Sequence, residues 1–84
     1  MASPLVGIVV GSRAEFTAIR KGLETLRVMG ISYELAVLSA QQTPERVAVW
    51  AQEAQMKGME LIIAAGGGGT ALPAIVAAHT PLPV

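Results

Sequence analysis

The sequence predicts an α/β domain built on a parallel β-sheet. Three short apolar runs alternate with three segments in which apolar residues recur at helical spacing. Glycine and proline separate these segments at the positions where strands and helices end. The resulting order β-α-β-α-β-α favours parallel strands joined by right-handed crossovers. With 84 residues, the chain is expected to form one domain over residues 1–84.

The first three elements follow from the apolar pattern. Residues 5–10 form a continuous apolar run, as expected for a strand covered on both faces. Residues 14–29 are predicted to be an amphipathic helix that ends at Gly30, which suits a helix C-terminus. Residues 33–38 form the second predicted strand. The apolar positions of the helix are Phe16, Ile19, Leu23 and Leu26.

The second half of the chain repeats the alternation. Thr43 and Pro44 are expected at the N-cap and first position of a second helix, which Gly58 closes. Residues 60–64 are predicted to be the third strand, and residues 72–78 a short third helix. Residues 80–84 are typical of the approach to a fourth strand. The buried stripe of the second helix is predicted to be Val47, Trp50, Ala51 and Ala54, and Met29, Met56 and Met59 are expected to fill gaps near helix ends.

Composition narrows the function classes. Six basic residues balance six glutamates, and one Trp, one Tyr and one Phe offer no base-stacking platform, so no nucleic-acid partner is expected. No apolar run is long enough to span a bilayer, so no membrane partner is expected. The chain has no cysteine and starts without a signal-peptide pattern, which is compatible with a cytoplasmic location.

The apolar content predicts self-association. The chain is 52% hydrophobic and only 14% charged. If the strand order is 2-1-3, the third strand is an edge strand, and residues 61–63 make that edge apolar. We therefore expect another copy of the chain to pair with or cover this edge, giving a homo-oligomer.

Three loops are predicted to converge at one end of the sheet. They are residues 11–15, 39–43 and 66–71, because each follows a parallel strand. The third contains four consecutive glycines, more than a tight turn needs, which favours ligand binding through bare backbone N–H groups. Ser12 and Ser39 are candidates either for phosphate or ribose contacts or for turn and cap roles. Arg13 either adds charge to this site or is a solvated surface residue.

These loops, with their flanking motifs, resemble the PurE family. The matching stretches are 6–12, the Ser39-Ala40-x-x-Thr43-Pro44 segment, the third strand with its glycine loop, and 77–84. The resemblance implies N5-carboxyaminoimidazole ribonucleotide mutase ancestry in purine biosynthesis. It also implies a three-layer flavodoxin-like (Rossmann-like) fold, homo-octameric assembly, active sites at subunit contacts, and no metal or organic cofactor. Family members are about twice as long, so the chain is expected to stop before the fourth strand.

The resemblance also implies a set of ligand-binding positions. The mutase moves a carboxylate between two atoms of an aminoimidazole ribonucleotide, so an aminoimidazole ribonucleotide-like small molecule is the expected ligand. The positions that match the family's three loops are Gly11, Ser12, Glu15, Ser39, Ala40, Gln41, Gln42, Gly66, Gly67, Gly68 and Leu72.

Several positions depart from the family's pattern, among them Ala14 in place of a serine and Glu15 in place of an aspartate, and three further departures bear on the reaction. The family's proton-transfer histidine and phosphate-binding arginine are replaced by Gln41 and Gln42, and a third-loop histidine by Ala71. Glutamine cannot exchange a proton near neutral pH, so no catalytic residue is assigned. His79 is expected to interact with the end of the third helix rather than to substitute. Three hypotheses remain: an inactive nucleotide-binding domain, an active mutase or lyase with substituted groups, and a pure oligomerisation module.

Overall fold

The computed structural model describes residues 4–66 and 71–84. The elements follow the predicted order, with bounds that differ from the prediction by one residue at several ends. The strands and helices are β1 (Val6–Val10), α1 (Arg13–Val28), β2 (Tyr33–Val37), α2 (Pro44–Ala54), β3 (Leu61–Ala65) and α3 (Leu72–Ala78).

The three strands form one parallel sheet in the order β2-β1-β3. In the central strand β1, Val6, Ile8 and Val10 pack on one face beneath α1, whereas Val9 packs on the other face beneath α2 and α3. Every residue of β1 is buried, because both faces and both edges of this strand are covered. The α/β flavodoxin-like arrangement predicted from the sequence is confirmed.

Glycines end the first two helices as predicted. Gly30 has φ +74°, its N–H donates to Arg27 O, and the next N–H, of Ile31, donates to Leu26 O. This pair of hydrogen bonds is the Schellman arrangement, which requires a left-handed residue. Gly58, with φ +96°, ends the turn after α2 in the same way.

The predicted core of α2 is confirmed, whereas two methionines were placed wrongly. Val47, Trp50, Ala51 and Ala54 are all buried. Met59 is also buried, as predicted, but Met29 and Met56 are 65% and 82% exposed. Both exposed methionines lie in the turns that follow α1 and α2, outside the stripe that faces the sheet.

The outer edge of β3 is partly paired by the chain itself. The Ile62 N–H donates to Pro83 O at 2.9 Å, so residues after α3 begin to extend the sheet. Leu61 and Ile63, which point toward the α1 face, remain 41% and 42% exposed. One backbone group of this edge is therefore satisfied within the chain, while its apolar side chains stay open on the α1 side.

Candidate functional site

The carboxyl ends of β1 and β2 border a cavity of about 260 Å³. Residues from both strand-to-helix loops and from the start of α3 surround it, which is the arrangement expected where parallel strands end beside one another. The structure thus brings seven of the eleven predicted positions together. The residues that line the cavity are Gly11, Ser12, Glu15, Ser39, Ala40, Gln41 and Leu72.

The remaining predicted positions are not in this set. Gln42 is exposed and contributes its backbone rather than its side chain to the loop. Gly66 is exposed and does not line the cavity. Gly67 and Gly68 lie outside the described residues.

In the first loop, the Glu15 carboxylate lies close to the backbone of Gly11. The Ser12 hydroxyl donates to Glu15 Oε1 at 2.8 Å. A Cβ added to Gly11 would lie 3.2 Å from the same oxygen and 3.8 Å from Leu72 Cδ2. Gly11 therefore lets the Glu15 carboxylate and the Leu72 side chain approach the end of β1 closely. Ser12 occupies the N-cap position of α1, but its hydroxyl donates to the Glu15 carboxylate and does not cap the helix.

The second loop is held by its own hydrogen bonds. The Gln42 N–H donates to Ser39 Oγ at 3.0 Å, and the Thr43 hydroxyl donates to Ser39 O at 3.0 Å. Ser39 thus has the turn role that was one of its two predicted alternatives. Thr43 is at the N-cap position as predicted, but its hydroxyl points back to Ser39 instead of capping α2. This arrangement leaves Gln41 free to line the cavity.

The third wall of the cavity is formed by the start of α3. Leu72, the first residue of α3, is fully buried and packs in the core on the α2 side of the sheet. Ala71, which precedes it, is exposed and carries no functional group. This side of the cavity is therefore apolar over the residues that the structure describes.

Charged groups are sparse at the site. Among residues 4–66 and 71–84, Glu15 is the only ionisable residue that lines the cavity. Arg13 lines a different groove with Phe16, Leu35 and Val37, so it is a surface residue whose side chain is not part of the cavity lining. Sequence reasoning could not give this direction, because Arg13 is the first residue of α1, where a long side chain can turn toward either face.

The structure also shows where His79 lies and how the His and Glu side chains are distributed. His79 lies at the C-terminal end of α3, where its Nδ1 is 2.9 Å from Ile75 O, and it does not line the cavity. No three His or Glu side chains cluster as metal ligands in the described part of the chain. No helix in those residues is long and apolar enough to cross a bilayer.

Comparison with known proteins decides the family. The family model described as AIR carboxylase matches residues 5–84. The chain belongs to the AIR carboxylase family. The family resemblance predicted from the loop motifs is thereby confirmed over almost the whole chain.

The chain is similar to several curated proteins, with identities that include 40% and 45%. The N5-carboxyaminoimidazole ribonucleotide mutase of Pyrococcus horikoshii is 42% identical over 96% of this chain and 46% of its own length. The mutase of Saccharolobus solfataricus is 43% identical over 96% of this chain and 51% of its own. The phosphoribosylaminoimidazole carboxylase of Candida albicans is 45% identical over 98% of this chain and 14% of its own. The chain spans about half the length of the mutases that it matches.

Proposed function

We propose that this chain is a catalytically inactive AIR carboxylase family domain that binds an aminoimidazole ribonucleotide-like small molecule in the cytoplasm. The observation that carries the proposal is the position of Gln41. It lines the cavity at the end of β2, where the family resemblance implies a proton-transfer histidine. The scaffold of a ligand site is retained, whereas the proton-exchanging group is replaced.

The chemistry of the cavity supports binding without turnover. General acid–base catalysis contributes about 10²–10⁴-fold in rate, and a primary amide cannot supply it near neutral pH. The third loop offers alanine at position 71, so that side chain supplies no proton donor. The cavity still presents the hydroxyl of Ser12, the amide of Gln41 and the carboxylate of Glu15, which suffice for hydrogen bonding to a ribose and a heterocycle.

The proposal is tested by measuring turnover and binding on the same preparation. An ultraviolet assay with N5-carboxyaminoimidazole ribonucleotide is expected to show no rate above the uncatalysed reaction, and calorimetry is expected to show weak binding. Turnover that disappears in Ser12→Ala would establish the alternative, an active mutase with substituted groups. Thr17→Ala is the matched control, because it removes a hydroxyl from the same helix away from the cavity.

A second candidate function, self-assembly, is favoured by an apolar groove on the α1 face. Ile8, Ile19, Leu23 and Ile63 line this groove between α1 and β3, and Ile63 is 42% exposed. Exposed apolar surface of this kind is typical of protein interfaces. We infer that a second copy of the chain covers this groove and the adjoining edge of β3.

Sedimentation at micromolar concentration tests the self-assembly candidate. We expect a mass above the 8.7 kDa of one chain, and Ile63→Glu is expected to reduce it. Val49→Glu is the matched control, since Val49 is 48% exposed but lies on α2, outside the groove. A monomeric mass for the unmodified chain would rule this candidate out.

A further inference from the structure

The candidate site is lined by one carboxylate and by no basic side chain. All six basic residues of the chain lie within the described residues, and none of the six lines the cavity at the ends of β1 and β2. Glu15 does line it. The family resemblance implies a phosphate-binding arginine in the second loop. This chain has Gln42 at that position, so it lacks the positive charge.

Each basic residue is committed to another part of the surface. Two form ion pairs, Arg27 with Glu24 and Lys57 with Glu34. Arg46 lines a groove along α2 together with Glu45 and Glu53, and the other three lie on α1 and line two other grooves. Those three are Arg13, Arg20 and Lys21.

The third loop supplies no side-chain charge either. Residues 66–71 read Gly-Gly-Gly-Gly-Thr-Ala, so this segment offers an anion only neutral groups, namely backbone N–H groups and the Thr70 hydroxyl. At α1 the carboxylate of Glu15, in the first turn, already complements the positive end of the helix. A phosphate placed at this site would therefore meet a carboxylate and no guanidinium or ammonium group of this chain.

We propose that the site recognises the base and ribose of an aminoimidazole ligand and prefers the uncharged nucleoside to its 5′-monophosphate. This inference rests on the proposed function, since it names the ligand class of the same cavity. Vicinal ribose hydroxyls donate to the Glu15 carboxylate, whose Oε1 is already held by the Ser12 hydroxyl. The Gln41 amide offers both a donor and an acceptor to the heterocycle, and Leu72 and Ala40 supply apolar contact.

A matched pair of ligands tests the preference. The probes are 5-aminoimidazole-4-carboxamide riboside and the same molecule with a 5′-phosphate, titrated into the unmodified chain by calorimetry at low salt. We expect the riboside to bind more tightly than the phosphate. A phosphate that binds as tightly as the riboside, or more tightly, would overturn the inference and leave the proposed function standing. Binding of neither probe would refute the proposed function itself.

Two substitutions should each shift the preference toward the 5′-phosphate, for different reasons. Gln42→Arg places a long charged side chain on the loop that borders the cavity and is expected to raise affinity for the phosphate by about tenfold or more, with the riboside unaffected. Glu15→Gln removes the repulsion and the strong acceptor, so it should weaken the riboside and not the phosphate. Arg13→Ala and Arg46→Ala are the controls. If either control lowers phosphate affinity severalfold, a surface arginine reaches the site and the inference fails.

Discussion

Replacing Gly7 by alanine tests how tightly the central strand is packed. A Cβ at this position would lie 2.5 Å from Met59 Sδ and 3.0 Å from Trp50 Cη2. Met59 and Trp50 are 2% and 9% exposed, so neither can move aside into solvent. Trp50 is also held by its Nε1–H, which donates to Glu34 Oε2 at 2.9 Å. The added methyl group must therefore displace packed core atoms.

The expected net effect of Gly7→Ala is destabilisation. Overpacking a core typically costs about 1–3 kcal/mol, while the loss of glycine's freedom in the unfolded chain returns about 0.5–1 kcal/mol. The difference is a loss of about 1 kcal/mol, which lowers the Tm of a domain of this size by about 4–8 °C.

Urea unfolding followed by far-ultraviolet circular dichroism measures this effect without relying on the fluorescence of Trp50. The matched control is Gly22→Ala in the middle of α1, where a Cβ meets no described atom of the same chain within 4 Å; because Gly22 lines the groove on the α1 face, all variants are compared at a concentration that gives a monomeric mass. This control should gain about 0.5–1 kcal/mol from helix propensity. The change from glycine to alanine is thus expected to lower the free energy of unfolding at position 7 and to raise it at position 22. A Gly7→Ala variant as stable as the unmodified chain would refute the packing argument.

Two further predictions concern polar contacts outside the cavity. Trp50→Phe should lower the free energy of unfolding by about 1–3 kcal/mol, because it removes ring volume from the core and the hydrogen bond to Glu34. Glu34→Gln keeps an acceptor for Trp50 and should lower the free energy of unfolding by less in the same urea titration. The Arg27 guanidinium holds the pKa of Glu24 below its usual range, so the pair favours the folded state above the ordinary glutamate pKa and loses this effect as pH falls through the lowered value. In Arg27→Ala, a pKa of Glu24 that stays low by nuclear magnetic resonance titration would contradict this assignment.

Backbone features were the predictable part of the fold. Gly30 and Gly58 ended their helices because only a left-handed residue completes the closing hydrogen bonds. The stripe on α2 was predictable because its positions share one face of a 3.6-residue period. Met29 and Met56 were misplaced because hydrophobicity alone does not tell a turn residue that faces the sheet from one that faces water.

The membership of the candidate site was more predictable than its electrostatics. Loops that follow parallel strands must meet at one end of the sheet, so the order of the elements along the chain is enough to group Ser12, Ser39 and Leu72. The direction of Arg13 could not be predicted, because a long side chain near a helix start can turn toward either face. Its position in the groove beside β2 is what leaves Glu15 without a basic neighbour at the cavity.

The side chains of Gln41 and Gln42 in the second loop do not contribute to the stability of the fold. The residues at these positions can therefore change, and the chemistry with them, while the fold is kept. Gln41 and Gln42 are exposed, and Gln42 serves the loop only through its backbone N–H to Ser39 Oγ. Any residue other than proline supplies that N–H. Selection on stability therefore does not constrain either side chain, in contrast to position 7, where any Cβ would lie 3.0 Å from Trp50 Cη2. The same independence makes Gln42→Arg a clean probe, since its effect on phosphate binding should appear without a change in the free energy of unfolding.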